Sequence, residues 1–320
     1  MDPSVKVGVI DLGSNSTKVL LSSVSRDGDV QKIREKSFSC RLINLESIED
    51  GRISKKIRED LFQILSDLLK ICEEEGAQYV TMVATEAMRK APNSKLLADE
   101  IQSIFSHPLH ILSGNEEATL IAEGLLQDPQ LTGCESFHAF DLGGGSLELI
   151  QMQDRRPTLN KSLPLGVLSL SNQLTTGNQF PLSAKDIESL REVVCNEVRN
   201  CGFTLDPGIP LIGLGGAIFF IRKILSRCRP FDFNKCQEVQ FREISDLFEH
   251  SSRLSMKERL AEYPELPVDR GDVFPIACLI IEEMMKVLSK SLLLHSQYNL
   301  RYGVASRLGR GNGLDNLLPD

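Results

Sequence analysis

The chain opens with a short apolar run, Val5–Ile10, and a second run rich in β-branched and apolar residues, Thr17–Val24, separated by Gly, Ser and Asn positions. Runs of that length bounded by turn residues predict a β-hairpin. A turn at Arg26-Asp27-Gly28-Asp29 leads to a third strand, Val30–Cys40. The period then changes. Ile57, Leu61, Ile64, Leu65, Leu68 and Ile71 recur at helical spacing behind Ser54, and Gly76 stops the pattern, predicting a helix from Ser54 to about Glu75. Tyr79–Ala84 reads as a buried strand, Thr85–Asn93 as a loop, and the chain from there to about Phe105 as a helix. The strand Leu109–Leu112 runs into Ser113-Gly114-Asn115-Glu116, whose Ser and Glu predict a capping box and a helix through Leu126.

Asp128–Glu135 holds Pro and Gly and marks a boundary, after which the pattern restarts. Phe137–Asp141, Leu147–Met152 and Thr158–Leu163 read as strands, with turns at Gly143–Ser146 and Asp154–Pro157. Ser183 opens a helix towards Arg199, Pro210–Leu214 is a strand, and Gly215-Gly216 turns into a helix over Ala217–Leu225. Helices near Glu243–His250, Met256–Tyr263 and Asp272–Leu288 precede a short strand, Ser291–Leu294, and a last helix, Leu300–Leu308, with Gly309–Asp320 as a frayed end. Three strands, helix, strand, helix, strand, helix, given twice, is an α/β arrangement with mixed sheets. The expected division is residues 1–127 and 128–320, with the last helix, about 300–310, returning to the first domain. Ligands in such folds sit at the carboxyl ends of strands, where Asp11, Thr85, Asp141 and Gly215 fall.

The restart is visible in the residues themselves. Val9-Ile10-Asp11-Leu12-Gly13-Ser14-Asn15-Ser16 returns as Ala139-Phe140-Asp141-Leu142-Gly143-Gly144-Gly145-Ser146. Each is an apolar strand that ends in an acid and enters a Gly/Ser turn. An Asp at that place can hold Mg²⁺ directly or through water. The turn amides can cradle phosphate oxygens. A Gly/Ser/Asn turn is also what a plain hairpin uses. Three successive glycines are harder to explain that way, because they cost backbone entropy that an ordinary turn does not require.

Composition narrows the partners. The chain has 320 residues, 41% hydrophobic and 25% charged, with a net charge of −8. That balance argues against non-specific nucleic-acid or anionic-membrane binding, which calls for basic patches. An acidic protein that handles phosphates must concentrate positive charge, amides or metal in its site. The eight cysteines contain no C-x-x-C pair, so a zinc knuckle or thioredoxin-like site is not indicated, and reduced thiols in a cytoplasmic protein are expected. The amino-terminal residues Met1–Lys6 form no signal-peptide hydrophobic region, and the longest apolar runs, near Leu211–Ile221 and Val273–Ile281, are shorter than the roughly 20 residues of a membrane span.

Further candidates lie at strand ends. Glu117 occupies the first turn of the helix opened by Ser113; a first-turn acid complements the helix dipole, and the dipole also keeps it ionised and able to accept a proton. Glu116 has capping as its main role. Arg89 and Lys90 follow a strand end, and an Arg there can fork onto phosphate oxygens or simply face solvent. Glu148 lies two residues beyond Ser146 and reaches the same side or stays a solvated strand residue. The turn Gly213-Leu214-Gly215-Gly216-Ala217 places helix amides towards an anion, or allows close helix–strand packing. His107 and His110, flanking Pro108, read as ordinary core or surface residues.

These motifs, in this order, resemble the Ppx/GppA family of exopolyphosphatases and guanosine pentaphosphate phosphohydrolases, of the fold group of actin, sugar kinases and heat-shock ATPase chaperones. The resemblance runs from Val7 to about Gly303, most strongly at Ile10–Ser16, Ser113–Ala118 and Asp141–Glu148, with Leu300-Arg301-Tyr302-Gly303 similar to the family's last motif. It implies an α/β fold of two similar actin-like, ribonuclease H-like ATPase-type domains whose mixed sheets face a central cleft. It implies hydrolysis of terminal phosphoanhydrides in inorganic polyphosphate or pppGpp, with guanosine penta- or tetraphosphate as the nucleotide ligand, Mg²⁺ as cofactor, and room for a homodimer. Glu117 matches the catalytic base. Asp141 and Glu148 match acids that support water and Mg²⁺, with Asp11 as a further metal residue. Gly13, Ser14, Asn15 and Ser16, and Gly143, Gly144, Gly145 and Ser146, match the phosphate loops; Arg89 matches a substrate-binding arginine, and Gly215 and Gly216 add a third turn. Departures from the family occur at Leu147, where Thr is usual; Glu86, where a small residue is common; Ala217 for Thr; Ser169 for Arg; and Tyr302 for an acid. They keep open a catalytically weak polyphosphate or nucleotide sensor on the same fold. A kinase or ATPase of the wider group is opposed by the Glu116-Glu117 pair.

Overall fold

The computed structural model describes residues 4–42, 50–174, 180–203, 206, 208–228, 237–311 and 314. In chain order they form β1 (Val5–Leu12), β2 (Ser16–Val24), β3 (Val30–Ser39), α1 (Lys55–Glu74), β4 (Tyr79–Ala84), α2 (Glu86–Lys90), α3 (Ser94–Phe105), β5 (Leu109–Ile111) and α4 (Gly114–Leu125). A 3₁₀ turn, Pro129–Leu131, leads to β6 (Phe137–Leu142), β7 (Leu147–Gln153), β8 (Arg156–Leu163), α5 (Val167–Ser171), α6 (Ala184–Asn200), β9 (Leu211–Leu214), α7 (Gly216–Cys228) and β10 (Glu238–Gln240). The chain continues as α8 (Phe241–Arg253), α9 (Met256–Glu262), α10 (Val268–Gly271), α11 (Phe274–Val287), β11 (Leu292–His295) and α12 (Leu300–Gly309). Contacts divide it into two units. The first runs to Thr132 and takes back the chain from Tyr298; the second is Gly133–Gln297.

The first unit is a sheet in the order β3-β2-β1-β4-β5. β1 is antiparallel to β2 and parallel to β4, so it lies in the middle. Its residues Val7, Val9, Ile10 and Leu12 are fully buried, as a central strand covered on both faces requires. Ile10, Leu12, Val19 and Leu21 pack with Ile57, Leu61, Leu65 and Leu68 of α1, the face that the helical spacing anticipated. Ser54 caps α1 by accepting from the Ile57 amide. On the opposite face α12 crosses α4. A Cβ at Gly303 would stand 1.8 Å from the Leu120 carbonyl oxygen, and one at Gly124 would stand 2.2 Å from that of Asn299. Two glycines facing one another let the backbones touch, and this contact, more than anything in the local sequence, assigns the last helix to this unit. Arg307 adds a two-pronged ion pair to Glu123 at 2.7 and 2.6 Å.

The second unit repeats the plan with an added strand. Its order is β10-β11-β9-β6-β7-β8, with β6 central, antiparallel to β7 and parallel to β9. β11 occupies the place of β5, and β10 extends the edge antiparallel to it. The core runs from Phe140 and Leu149 through Val194 and Ile221 to α11, whose residues from Phe274 to Ile281 are all apolar. Each unit is thus an α/β domain built on a mixed sheet.

Several expectations need correction. The loop at Thr85–Asn93 contains α2, whose basic residues Arg89 and Lys90 fall in its last turn, where they suit the helix dipole. The helix expected over Asp272–Leu288 is α11, which starts two residues later with Pro275 in its first turn; the short α10 just before it was not expected. α5 and β10 were too short to carry a period. The end does not fray at Gly309: Leu314 is buried, whereas 312–313 and 315–320 lie outside the described residues. Cys40, Cys72, Cys134, Cys195, Cys201 and Cys278 are free; Cys236 and the side chain of Cys228 lie outside the described residues. Among these residues no helix is long and apolar enough to cross a membrane.

Candidate functional site

The repeated motif becomes the same hairpin in both units. Leu12 pairs with Thr17 and Leu142 with Leu147, leaving residues 13–16 and 143–146 as four-residue turns. Each turn is closed by the first glycine's amide donating to the carbonyl of its serine, Gly13 to Ser16 at 3.1 Å and Gly143 to Ser146 at 3.0 Å. The surrounding chain then fixes the carbonyls. Ser14 and Asn15 carbonyls accept from the Leu42 and Cys40 amides at 3.0 and 3.2 Å. Gly143 accepts from Val167, Gly144 from Leu168 and Ser169, and Gly145 from the Ser169 hydroxyl at 2.9 Å. A trans peptide holds its C=O and N–H on opposite sides. Bonding these carbonyls therefore aims the amides of Asn15, Ser16, Gly144, Gly145 and Ser146 the other way, the geometry of an anion nest. Gly166 makes the second arrangement fit, since a Cβ there would lie 2.1 Å from the Gly145 carbonyl carbon.

The acids differ in their partners. Asp11 lies opposite Lys18 on β2, whereas Asp141 lies opposite Glu148 on β7. Directly opposed residues of an antiparallel pair share a face, so the same place holds an acid–base pair in one unit and two carboxylates in the other. Glu148 is 2% exposed, and its Oε1 accepts from the hydroxyls of Ser146 at 2.6 Å and Ser162 at 2.9 Å. It is therefore a fixed, buried carboxylate and not a solvated strand residue. Asp11 Oδ1 is buried without a hydrogen-bond partner. Burial raises the Asp11 pKa above its ordinary value, against the opposing pull of Lys18 and Arg301.

The third glycine turn touches the second acid. Gly215 has φ +95°, and a Cβ on it would meet the Leu142 carbonyl oxygen at 2.7 Å and Asp141 Oδ1 at 2.8 Å. Only glycine suits both the left-handed backbone and the contact. Gly216 then begins α7, with Arg270 Nη1 4.0 Å from where its Cβ would be. Arg270 sits on α10, and Arg259, wholly buried, anchors that segment by donating to the carbonyls of Gly271, Leu254 and Ser251. Burial brings the Arg259 pKa down to about 10.

The base candidate is held on the first unit. Ser113 and Glu116 form the expected capping box, with reciprocal bonds of 2.7 and 3.2 Å. Glu117, next along α4, is 7% exposed. Arg89 Nη1 donates to Glu117 Oε2 at 2.7 Å and to the Leu112 carbonyl at 2.7 Å. Its Nε and Nη2 donate to Glu86 Oε2 at 3.3 and 2.9 Å, and Lys90 also pairs with Glu86. Burial works against the Arg89 charge, but Glu117 and Glu86 outweigh it and hold the guanidinium pKa above its usual value. Arg89 is thus a bridge between two carboxylates.

Sequence reasoning missed Lys18 and Arg270. The spacing of Lys18 across the hairpin was readable once the turn was set at four residues; Arg270 carried no local signal. At the departures, Leu147 is buried in the ladder and Ser169 ties the glycine turn. Tyr302 stacks near Tyr298 with centroids 4.4 Å apart, and Arg301, without an acid beside it in sequence, pairs with Glu35 of β3 at 2.5 Å.

No described cluster of three or more His, Cys, Asp or Glu side chains could hold a metal ion unaided. Mg²⁺ in phosphate chemistry usually takes one or two carboxylates, waters and substrate oxygens. Within the first unit the buried Asp11 Oδ1, and within the second the opposed Asp141 and Glu148, are carboxylates of the kind such binding uses.

A family model described as the Ppx/GppA phosphatase family matches residues 21–309. Exopolyphosphatase 1 of Mycobacterium leprae is 23% identical over 309 residues, 95% of this chain and 89% of that protein. Guanosine-5'-triphosphate,3'-diphosphate pyrophosphatase of Vibrio vulnificus is 24% identical over 312 residues, 92% of this chain and 58% of that longer protein. Among solved structures, an exopolyphosphatase from Cytophaga hutchinsonii superposes with a TM-score of 0.84 at 22% identity, covering 97% of this chain and 99% of its own. The Aquifex aeolicus Ppx/GppA family member gives 0.80 at 22% identity, covering 97% and 100%. At these identities the structures establish the fold.

Proposed function

Because the chain belongs to the Ppx/GppA phosphatase family, we propose that it removes terminal orthophosphate from inorganic polyphosphate or from pppGpp. The observation that carries this reading is the matched pair of turns, each behind an Asp and each with its carbonyls tied back so that amides face outward.

The chemistry is assigned as follows. A water oxygen attacks the terminal phosphorus while the bridging P–O bond breaks. Glu117 takes the water's proton, a step for which a carboxylate in a helix's first turn is suited. The bonding electrons pass to the bridging oxygen, which becomes the new chain end, and orthophosphate leaves. Arg89 and the turn amides oppose the charge gathering on the phosphate oxygens, so positioning and electrostatics supply most of the rate. Mg²⁺, when bound, would add positive charge at the phosphates, with Asp141, Glu148 and Asp11 as the residues to hold it. Burial and the hydroxyls of Ser146 and Ser162 hold Glu148 in place. Free thiols and an acidic surface fit a cytoplasmic setting.

Phosphate release should be measured with long polyphosphate, pppGpp, ATP and GTP in Mg²⁺ buffer, beside thermal melts with the same ligands. Release from polyphosphate or pppGpp in preference to ATP and GTP supports the proposal. Thermal stabilisation without release from any of them would instead identify a sensor.

A further inference from the structure

Arg89 is nearly spent before any ligand arrives. A guanidinium carries five N–H groups. Four are directed at protein: two at Glu86 Oε2, one at Glu117 Oε2 and one at the Leu112 carbonyl. The edge best suited to bidentate phosphate binding, Nε with Nη2, is the edge that Glu86 covers. Glu86 is 9% exposed, at the first position of α2, held there by Arg89 three residues on and by Lys90 four residues on.

We propose that Glu86 is a resident competitor for the phosphate-binding edge of Arg89 and so sets how strongly this chain binds polyanions. The inference rests on the functional reading above and extends it to a residue that touches neither the reacting phosphorus nor the attacking water. A phosphate entering the Nε–Nη2 edge displaces the Glu86 carboxylate. That carboxylate is not left unpaired, because Lys90 already contacts it and is 57% exposed, with freedom to follow. The exchange trades one charge-assisted pair for another, which keeps the competitor displaceable. The remaining negative charge beside the site works against each added phosphate charge. Glu86 therefore lowers affinity most for the ligands that carry the most phosphate charge.

The test compares wild type with Glu86→Gln, which keeps size and removes charge, and Glu86→Asp, which keeps charge. Binding of imidotriphosphate, a tripolyphosphate analogue with non-hydrolysable bridges, is followed by calorimetry in Mg²⁺ buffer, with melting curves to establish that each variant is folded. Glu86→Gln is expected to bind about fivefold tighter, the scale of one partly screened ion pair. Glu86→Asp should stay within about twofold of wild type, and the gain of Gln should shrink as salt is raised. Phosphate-release kinetics should show the same change in KM with kcat little altered. Equal or weaker binding by a folded Glu86→Gln, with wild type binding normally, overturns the proposal alone. If neither wild type nor variant binds the analogue or releases phosphate, the functional reading fails and this inference with it.

Discussion

Asp141 lies directly across the β6–β7 ladder from Glu148, while Asp11, at the equivalent place in the first unit, lies across from Lys18. One hairpin design has thus been given opposite electrostatics. Two like charges on one face raise the energy of both unless a cation stands nearby. A lysine opposite the acid makes the first hairpin nearly neutral and suits it to phosphate. Under the proposed mechanism, the second hairpin supplies most of the carboxylate charge for the divalent ion.

Glu148→Gln tests that division. It preserves volume and can still accept from Ser146 and Ser162, so the fold should hold. We expect at least a tenfold rise in the Mg²⁺ concentration for half-maximal phosphate release, and a fall in the saturated rate of about 10²-fold, the scale of losing one fixed charge that aids the transition state. An Mg²⁺ titration of release by wild type and variant measures both. An unchanged Mg²⁺ dependence would remove Glu148 from the cation's surroundings.

At Asp11 the proposed function and stability oppose one another. Burial raises its carboxyl pKa above the ordinary 3.8. Between the ordinary value and the raised one, the folded protein binds more protons than the unfolded chain, so stability falls as pH rises through that interval and stays lower above it. Asp11→Asn removes the penalty. At pH 7 the variant should melt higher by about 1–2 °C, for roughly 1 kcal/mol in a chain of this size. The difference should close as pH is lowered towards the ordinary carboxylate value. Phosphate release should fall in the same variant. A lower melting temperature at pH 7 would contradict this account of the buried carboxyl.

Gly303→Ala should damage the first unit although it is far along the chain. The new methyl would overlap the Leu120 carbonyl at a helix crossing that lacks room for it. Overpacking of this kind costs roughly 2–3 kcal/mol, or about 3–5 °C in melting temperature. Because α4 carries Glu117, phosphate release should fall further than the melting temperature alone explains. Differential scanning calorimetry with an activity assay at 25 °C separates the two effects.

Local rules reached much of this molecule. Ser54 and Gly76 bounded α1, Ser113 and Glu116 formed their box, and the duplicated Asp-Leu-Gly hairpin announced two related units. These features depend on residues within a few positions of one another. The features that escaped depend on long-range contact. The crossing of Gly124 and Gly303 joins segments far apart in sequence, and no periodicity could show that those two backbones touch. Arg89 looked like a free cation because its partners Glu117 and Leu112 sit on another element. Glu148 had a solvated alternative that only the placing of β8 and its Ser162 removes. Arg270 stood in a segment whose helix is one turn long, and acquired meaning only beside Gly216.

The measurement that bears most directly on the whole account is steady-state phosphate release by Glu117→Gln, with long polyphosphate and pppGpp as substrates in Mg²⁺ buffer and imidotriphosphate binding recorded in parallel. Loss of the proton acceptor should lower kcat about 10³-fold while binding stays within a few fold of wild type. Turnover by the variant equal to that of wild type would contradict the assignment of Glu117 as the base, and with it the mechanism built around that carboxylate.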